Sequence, residues 1–295
     1  MKIALGPLQY YWPRETVFDF YDGMAGAPLD IVYLGETVCS RRHELRLAYW
    51  LALAERLAGA GKQVVLSTQV LIESGADLNA LRRIADNGRF LVEANDMGAV
   101  GYMEGRPFVA GPHLNMYNNP SLKLMADAGA VRWVVPFEMP AQGLAAMRAG
   151  FSAGLETEVF AYGRMPLAFS ARCLTARQQN LPKDDCRFSC IAHPDGMLMQ
   201  TQEGQPFLVL NGIQTQAAQV CNLVEELDAM RVLGVGVVRL SPQAAHMGEL
   251  TALFRAAIAG EIGGREAHER MAPLMPGGSC NGFWHGKPGM ERHAA

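Results

Sequence analysis

Along this chain, short runs of β-branched and aliphatic residues recur, each closed by a glycine, a proline or a polar residue. They are KIALG (2–6), IVYLG (31–35), QVVLS (63–67), RFLVEA (89–94), PFVAG (107–111), VRWVV (131–135), TEVFAYG (157–163) and VVRLS (237–241). Runs that stay apolar instead of alternating predict strands covered on both faces, as in a parallel sheet. Helical patterns fill most of the gaps. Residues 41–61 carry Leu45, Ala48, Leu51, Leu53 and Leu57 on one broad stripe and end in glycine. Residues 77–87 stop at Asn87-Gly88, and 120–129 open on Pro120 and stop at Gly129. Residues 140–150, 222–234 and 243–260 follow the same rule. Eight strands alternating with helices, with no Gly-rich dinucleotide turn after the first strand, predict an α/β fold: a (β/α)8 TIM-like barrel rather than a doubly wound open sheet.

The spacing breaks once. The last two strands start about 80 residues apart, far more than one strand–helix unit needs. Two further strand-like runs, MLMQTQ and PFLVLN, lie in that gap, punctuated by Gly196, Gly204 and Asn211-Gly212. Residues 164–220 therefore read as an insertion with a small β element, on the loop after strand seven. The chain 1–295 reads as one barrel domain, with 272–295, rich in Gly and Pro, as a C-terminal tail over the surface.

Composition narrows the setting. The chain is 49% hydrophobic with a net charge of −3, which suits a large core and gives no general basic surface for nucleic acid. The start has no signal-peptide pattern, and no run of 18 apolar residues predicts a membrane span. A cytoplasmic, reducing location is expected. The six cysteines then point to metal binding or plain burial rather than to structural disulfides.

Three cysteines lie in the insertion as C-x12-C-x3-C: Cys173, Cys186 and Cys190. Cys39 follows the second strand, and loops after strands two and seven open on the same C-terminal face of a barrel. Four thiols gathered there suit zinc or an iron–sulfur cluster, and unligated buried thiols are the plain alternative. The spacing lacks the two close pairs of most zinc sites, and His193 stands where a C-x3-C-x2-C pattern needs its third cysteine. Arg164, Arg172, Arg177 and Lys183 surround Cys173 in sequence, which suits an anionic cluster or an ordinary solvated loop. Cys221 reads as a core residue opening a helix, and Cys280 as the substitute ligand.

The stretch Glu158-Val-Phe160-Ala-Tyr-Gly163, followed by Ser170-Ala171-Arg172-Cys173, resembles the signature of the collagenase-like peptidase family U32. Pro166 stands where that signature has its first Cys, and Ala171 replaces a Gly. Cys39 in LGETVCSRR is the substitute seen in the ubiquinone-biosynthesis branch of the family. The resemblance to that branch extends through YYWPRET, GKQVVLST, GRFLVEANDMG, PFVAGPHLNMYN, MPLAFSARCLTAR, FLVLNGIQT, VVRLSPQ and CNGFW. It implies a [4Fe-4S] cluster on Cys39, Cys173, Cys186 and Cys190. It also implies a heterodimer with a homologous UbiU-like subunit, a UbiT-like lipid-binding accessory, and oxygen-independent hydroxylation of a quinone precursor, with prephenate as an oxygen donor in relatives. The alternatives are a zinc-stabilised or peptidase-like barrel of the same family, and a relative that hydroxylates RNA. The chain has no H-E-x-x-H or G-x-S-x-G to carry proteolysis.

Strand ends at the barrel mouth supply the remaining candidates: Glu36, Arg41, Arg42, Thr68, Glu93, Asn95, His113, Asn115, Glu138, Tyr162, Arg239 and Ser241. Of these, His113, Asn115 and Arg239, together with Glu158 inside a strand, are the catalytic candidates. His113 and Glu158 form a potential acid/base pair, or Glu158 is a structural hydrogen-bond acceptor. Arg41, Arg42 and Arg239 suit a carboxylated ligand. Tyr11 and Trp12 suit a pocket wall or simple packing.

Overall fold

The computed structural model describes residues 1–151 and 154–293. Seven parallel strands come first: β1 (Lys2–Leu5), β2 (Ile31–Leu34), β3 (Gln63–Ser67), β4 (Leu91–Ala94), β5 (Phe108–Ala110), β6 (Ala130–Val134) and β7 (Glu156–Gly163). A four-stranded antiparallel sheet follows, made of β8 (Pro166–Phe169), β9 (Met197–Gln200), β10 (Pro206–Asn211) and β11 (Gln214–Ala217). After β12 (Val220–Asn222), strand β13 (Val237–Leu240) pairs in parallel with both β7 and β1 and closes the ring. The fold is thus a closed eight-stranded parallel barrel, as the run pattern predicts, with the Cys-bearing insertion after its seventh strand.

Continuous apolar strands are needed because both faces are covered. Ala4, Ile31, Tyr33, Val65, Val109, Val134 and Val237 fill the barrel axis. Their alternates, among them Ile3, Leu5, Val32, Leu66, Val92, Phe108 and Trp133, pack under the helices. Those helices are α1 (Arg14–Ala25), α2 (Leu47–Gly59), α3 (Gly75–Ala85), α4 (Met97–Met103), α5 (Asn119–Asp127) and α6 (Ala141–Ala149). The short α7 (Leu174–Gln178) belongs to the inserted lobe, and α8 (Leu227–Val232), α9 (Met247–Ala259) and α10 (Gly264–Met271) complete the set.

Three expectations change. The helix expected over 41–61 starts only at Leu47, because Arg42 is drawn into the interior and residues 35–46 form a loop. The helix expected over 222–234 is reduced to α8. Before it, Cys221 and Asn222 pair with Gly163 and Tyr162 of β7, so Cys221 is a buried strand residue and not a helix opener. The tail expected on the surface is partly interior. Ser279–Cys280 forms β14 beside β12, and Cys280 and Trp284 are buried. Trp284 lies with Phe137, Met139, Phe160 and Met165, covering the barrel between β6 and β7. Gly163 is required where β7 leaves the barrel: its φ is +125°, and a Cβ there would meet the Ser241 Cβ at 2.5 Å.

Candidate functional site

The loop after β2 is organised by one carboxylate. Glu36 accepts hydrogen bonds from the amides of Val38 (2.9 Å) and Cys39 (3.0 Å), and pairs with Arg42 at 3.5 Å. Burial pushes the Glu36 carboxyl up, against the pull of Arg42 and those amides. Arg42 is almost wholly enclosed, and it joins three parts of the chain. It donates to the Gln9 carbonyl (2.7 Å) beyond β1 and to Asn211 Oδ1 (2.6 Å) at the end of β10. Its positive charge also acts on the Cys190 thiol, opposing the rise that burial gives it.

Around this arginine the structure brings together cysteines that are far apart in sequence. Cys39 shares an apolar cluster with Val38, Ile213, Phe169 and Cys173. Cys173 caps α7, its Sγ accepting the Ala176 amide at 3.4 Å. Cys190 lies in the 3-10 turn Ser189–Ala192, near enough to Cys173 for that sulfur to add to the rise of the Cys190 thiol. Cys186 is buried in the same lobe, just after the turn Lys183–Asp185. Burial pushes the Cys39 thiol up to about 11, and raises Cys190 against the opposing effect of Arg42. All six cysteines are free thiols.

The lobe is tied to the barrel by groups from both sides. Arg41 donates to Asp184 Oδ1 (3.2 Å) and to its carbonyl (2.7 Å). Trp12 Nε1 donates to the Pro194 carbonyl (2.6 Å), so this residue anchors the lobe and does not only pack. Phe188 lies against Tyr11 and edge-on to His43, with ring centres at 6.0 and 4.5 Å. Thr37 Oγ1, Arg41 Nε, Arg42 Nε and Ser189 Oγ are buried here without hydrogen-bond partners. Such polar atoms next to free thiols fit an anionic ligand that carries acceptors of its own. Among the described residues, no three His, Cys, Asp or Glu side chains converge so as to hold a single metal ion. A cubane cluster asks for a different layout, since each thiolate binds a separate corner iron.

The barrel interior holds a second network. Glu158 Oε1 accepts from Arg239 Nε (2.5 Å) and Oε2 from the Tyr33 hydroxyl (2.5 Å), while Arg239 Nη1 lies 2.7 Å from Glu93 Oε1. Arg132 reaches Tyr33 (2.9 Å), Glu156 (2.8 Å) and Gln63 (3.1 Å). Glu158 therefore has both oxygens engaged, in the manner of a structural acceptor. His113 sits between Phe137 and Phe169 (ring centres 5.3 and 5.0 Å) and lines a 10 Å³ void at the mouth with Glu93, Asn95, Arg239 and Ser241. Burial pushes its imidazole down to about 4, so it is neutral at pH 7. Asn115 ends the turn Pro112–Leu114 in a left-handed conformation (φ 56°) and is exposed.

The other candidates have ordinary partners. Thr68 bonds to the Glu93 carbonyl and the Asn95 amide, Tyr162 donates to Gln243, and Glu138 accepts from Tyr117. Residues not anticipated from sequence are Gln9, Tyr33, Arg132, Phe188 and Asn211. One signal did exist for the interior group. Glu93, Arg132, Glu158 and Arg239 are each a charged residue inside a strand run, and all four are buried, where unpaired charge is not tolerated.

Among solved structures, the spore cortex-lytic enzyme SleL of Bacillus megaterium is similar at 10% identity and a TM-score of 0.42, over 86% of this chain and 73% of that one. Phospho-2-dehydro-3-deoxyheptonate aldolase of Thermotoga maritima is similar at 10% identity and a TM-score of 0.34, over 94% and 71%. The barrel assignment rests on the strand order itself. The sequence model of peptidase family U32 matches residues 22–294. The match spans nearly the whole chain, including both loops that carry the gathered thiols, and the protein belongs to peptidase family U32.

Proposed function

We propose that this chain is the UbiV-type member of the family. In this reading it is the iron–sulfur subunit of an oxygen-independent hydroxylase for a ubiquinone precursor, working as a heterodimer with a homologous UbiU-like subunit. The observation that carries the reading is the meeting of Cys39, from the loop after β2, with Cys173 and Cys190, from the lobe after β7, around the enclosed Arg42. Cys39, Cys173, Cys186 and Cys190 would hold a [4Fe-4S] cluster, which supplies one-electron redox chemistry when bound. The chain's own residues prepare that niche. Arg42 offsets the negative charge of deprotonated sulfur, and the Thr37 and Ser189 hydroxyls stand ready to donate. Tyr11, His43 and Phe188 cover the lobe's contact with the barrel and limit water there. The raised Cys39 thiol gives up its proton only in exchange for a metal. At the mouth, neutral His113 and the unpartnered Nη2 of Arg239 offer a weak base and a cation to a small polar substrate group.

The test is anaerobic purification with iron and sulfide analysis. The expected result is a brown protein with about four of each per chain, lost on Cys39→Ala or Cys173→Ala. Co-expression with the UbiU-like subunit, read by a quinone-intermediate assay, then tests the hydroxylation. A colourless chain carrying zinc under these conditions overturns the reading.

A further inference from the structure

Beside the cysteine-bearing loop, a cavity open to solvent lies outside the barrel. Helix α2 packs on α1, and α3 packs on α4. Between α2 and α3 lies a cavity of about 280 Å³. Its inner end is formed by Leu34 and Leu66, where β2 and β3 end, and its sides by Trp50 of α2 and by Leu81 and Ile84 of α3. It is also lined by the carboxylates of Glu36 and Asp77 and by the buried Arg42; two more arginines reach it, Arg46 at the start of α2 and Arg83 on α3. Both are exposed, so they stand where the cavity meets solvent.

The neighbouring arginines are occupied: Arg42 pairs with Glu36, Arg82 with Asp86 and Arg89 with Glu55. Arg46 and Arg83 have neither an ion pair nor a side-chain hydrogen bond among the described residues. An apolar chamber with free cations at its opening is the arrangement that takes an amphipathic anion, its body inside and its head at the rim. The volume is near the lower end of the roughly 300–1,000 Å³ range of ligand cavities, which limits the body to about one ring with a short side chain. Trp50 offers that ring an aromatic wall.

We propose that this cavity is a binding site for a small aromatic organic anion, a carboxylate or a phosphate ester, held by Arg46 and Arg83 over an apolar floor. The site adjoins the thiol niche, since Glu36 and Arg42 line both, but it does not depend on iron. Its occupant rests on one face of the loop that bears Cys39, since Glu36, Ser40 and His43 of that loop also line the cavity.

The experiment is isothermal titration of the full chain with 3-phenylpropionate, phenyl phosphate and the neutral 3-phenylpropanamide. The expected result is 1:1 binding of at least one anion with a Kd on the order of 0.1–1 mM, as a ligand of this size allows, and at least tenfold weaker binding of the amide. The better of the two anions identifies the head group. Ala80→Trp, which fills the chamber, is expected to abolish binding, and the double variant R46A/R83A to weaken it at least tenfold. Arg82→Ala, beside the site and ion-paired elsewhere, is expected to leave it unchanged. Thermal unfolding of each variant confirms that it is folded. Absence of saturable binding by either anion overturns the proposal, as does binding that a folded Ala80→Trp variant retains or an amide that binds as tightly as the acids.

Discussion

At the scale of single residues, the barrel interior shows how burial decides protonation. His113 lies among Phe137 and Phe169, and only the neutral ring is tolerated there. Its pKa of about 4 is below the ordinary value near 6.5. Between those two pH values the unfolded chain takes up a proton that the folded chain refuses. Stability is therefore full above pH 6.5 and falls as pH drops toward 4, by up to about 3 kcal/mol from this residue. Urea denaturation of the wild type and of His113→Phe, which keeps an aromatic ring in place, is expected to show a shallower acid slope in the variant. Equal slopes would mean that the ring is solvated.

At the scale of elements, the inserted lobe is attached through buried polar groups as well as through the apolar cluster of Val38, Ile213 and Phe169. Arg42 is the central polar group, since its removal takes the counter-charge from buried Glu36 and a donor from both the Gln9 carbonyl and Asn211 Oδ1. Arg42→Met is expected to cost about 3–5 kcal/mol in urea denaturation. It is also expected to speed cleavage within 164–220 under limited proteolysis, while cleavage elsewhere stays slow. Unchanged cleavage in that segment would show that the lobe is held by other groups. Sequence pattern revealed this element only in part. β9 and β10 carry enough apolar residues to be seen; β8, Pro-Leu-Ala-Phe, is apolar but short, opens on a proline and follows β7 by only two residues, and β11 is mostly polar. β11 reads Gln-Thr-Gln-Ala, and its Gln214 is buried because it bonds to Gln9, over two hundred positions earlier. Helix α4 escaped for a similar reason: its seven residues, MGAVGYM, include two glycines and no polar face. The cysteines and Arg42 were visible as residue types. Their partners Gln9, Asn211 and Phe188 were not, because nothing local marks a contact made across the whole chain.

At the scale of the whole molecule, all eight barrel strands were legible, since burial on both faces leaves a continuous apolar run in each. The tail was misjudged because its Gly and Pro content hides two buried anchors, Cys280 and Trp284. Trp284 covers the seam between β6 and β7, and Trp284→Ala is expected to destabilise the chain by about 3–5 kcal/mol, read by urea denaturation. A loss below about 1 kcal/mol would mean that the tail merely rests on the barrel. No helix among the described residues is long and apolar enough to cross a membrane.

The pairing that closes the ring has an effect during synthesis. Lys2–Leu5 leaves the ribosome 235 positions ahead of one of its two neighbours, Val237–Leu240. At translation rates of about 5–20 residues per second, the first strand waits roughly ten to fifty seconds with one side bare. The nascent chain offers an open hydrogen-bonding edge at β1 and, once Glu156–Gly163 has emerged, a second at β7, to any other unfinished chain nearby. Ribosomes that stall shortly before Val237 would therefore release the most adhesive form of this protein.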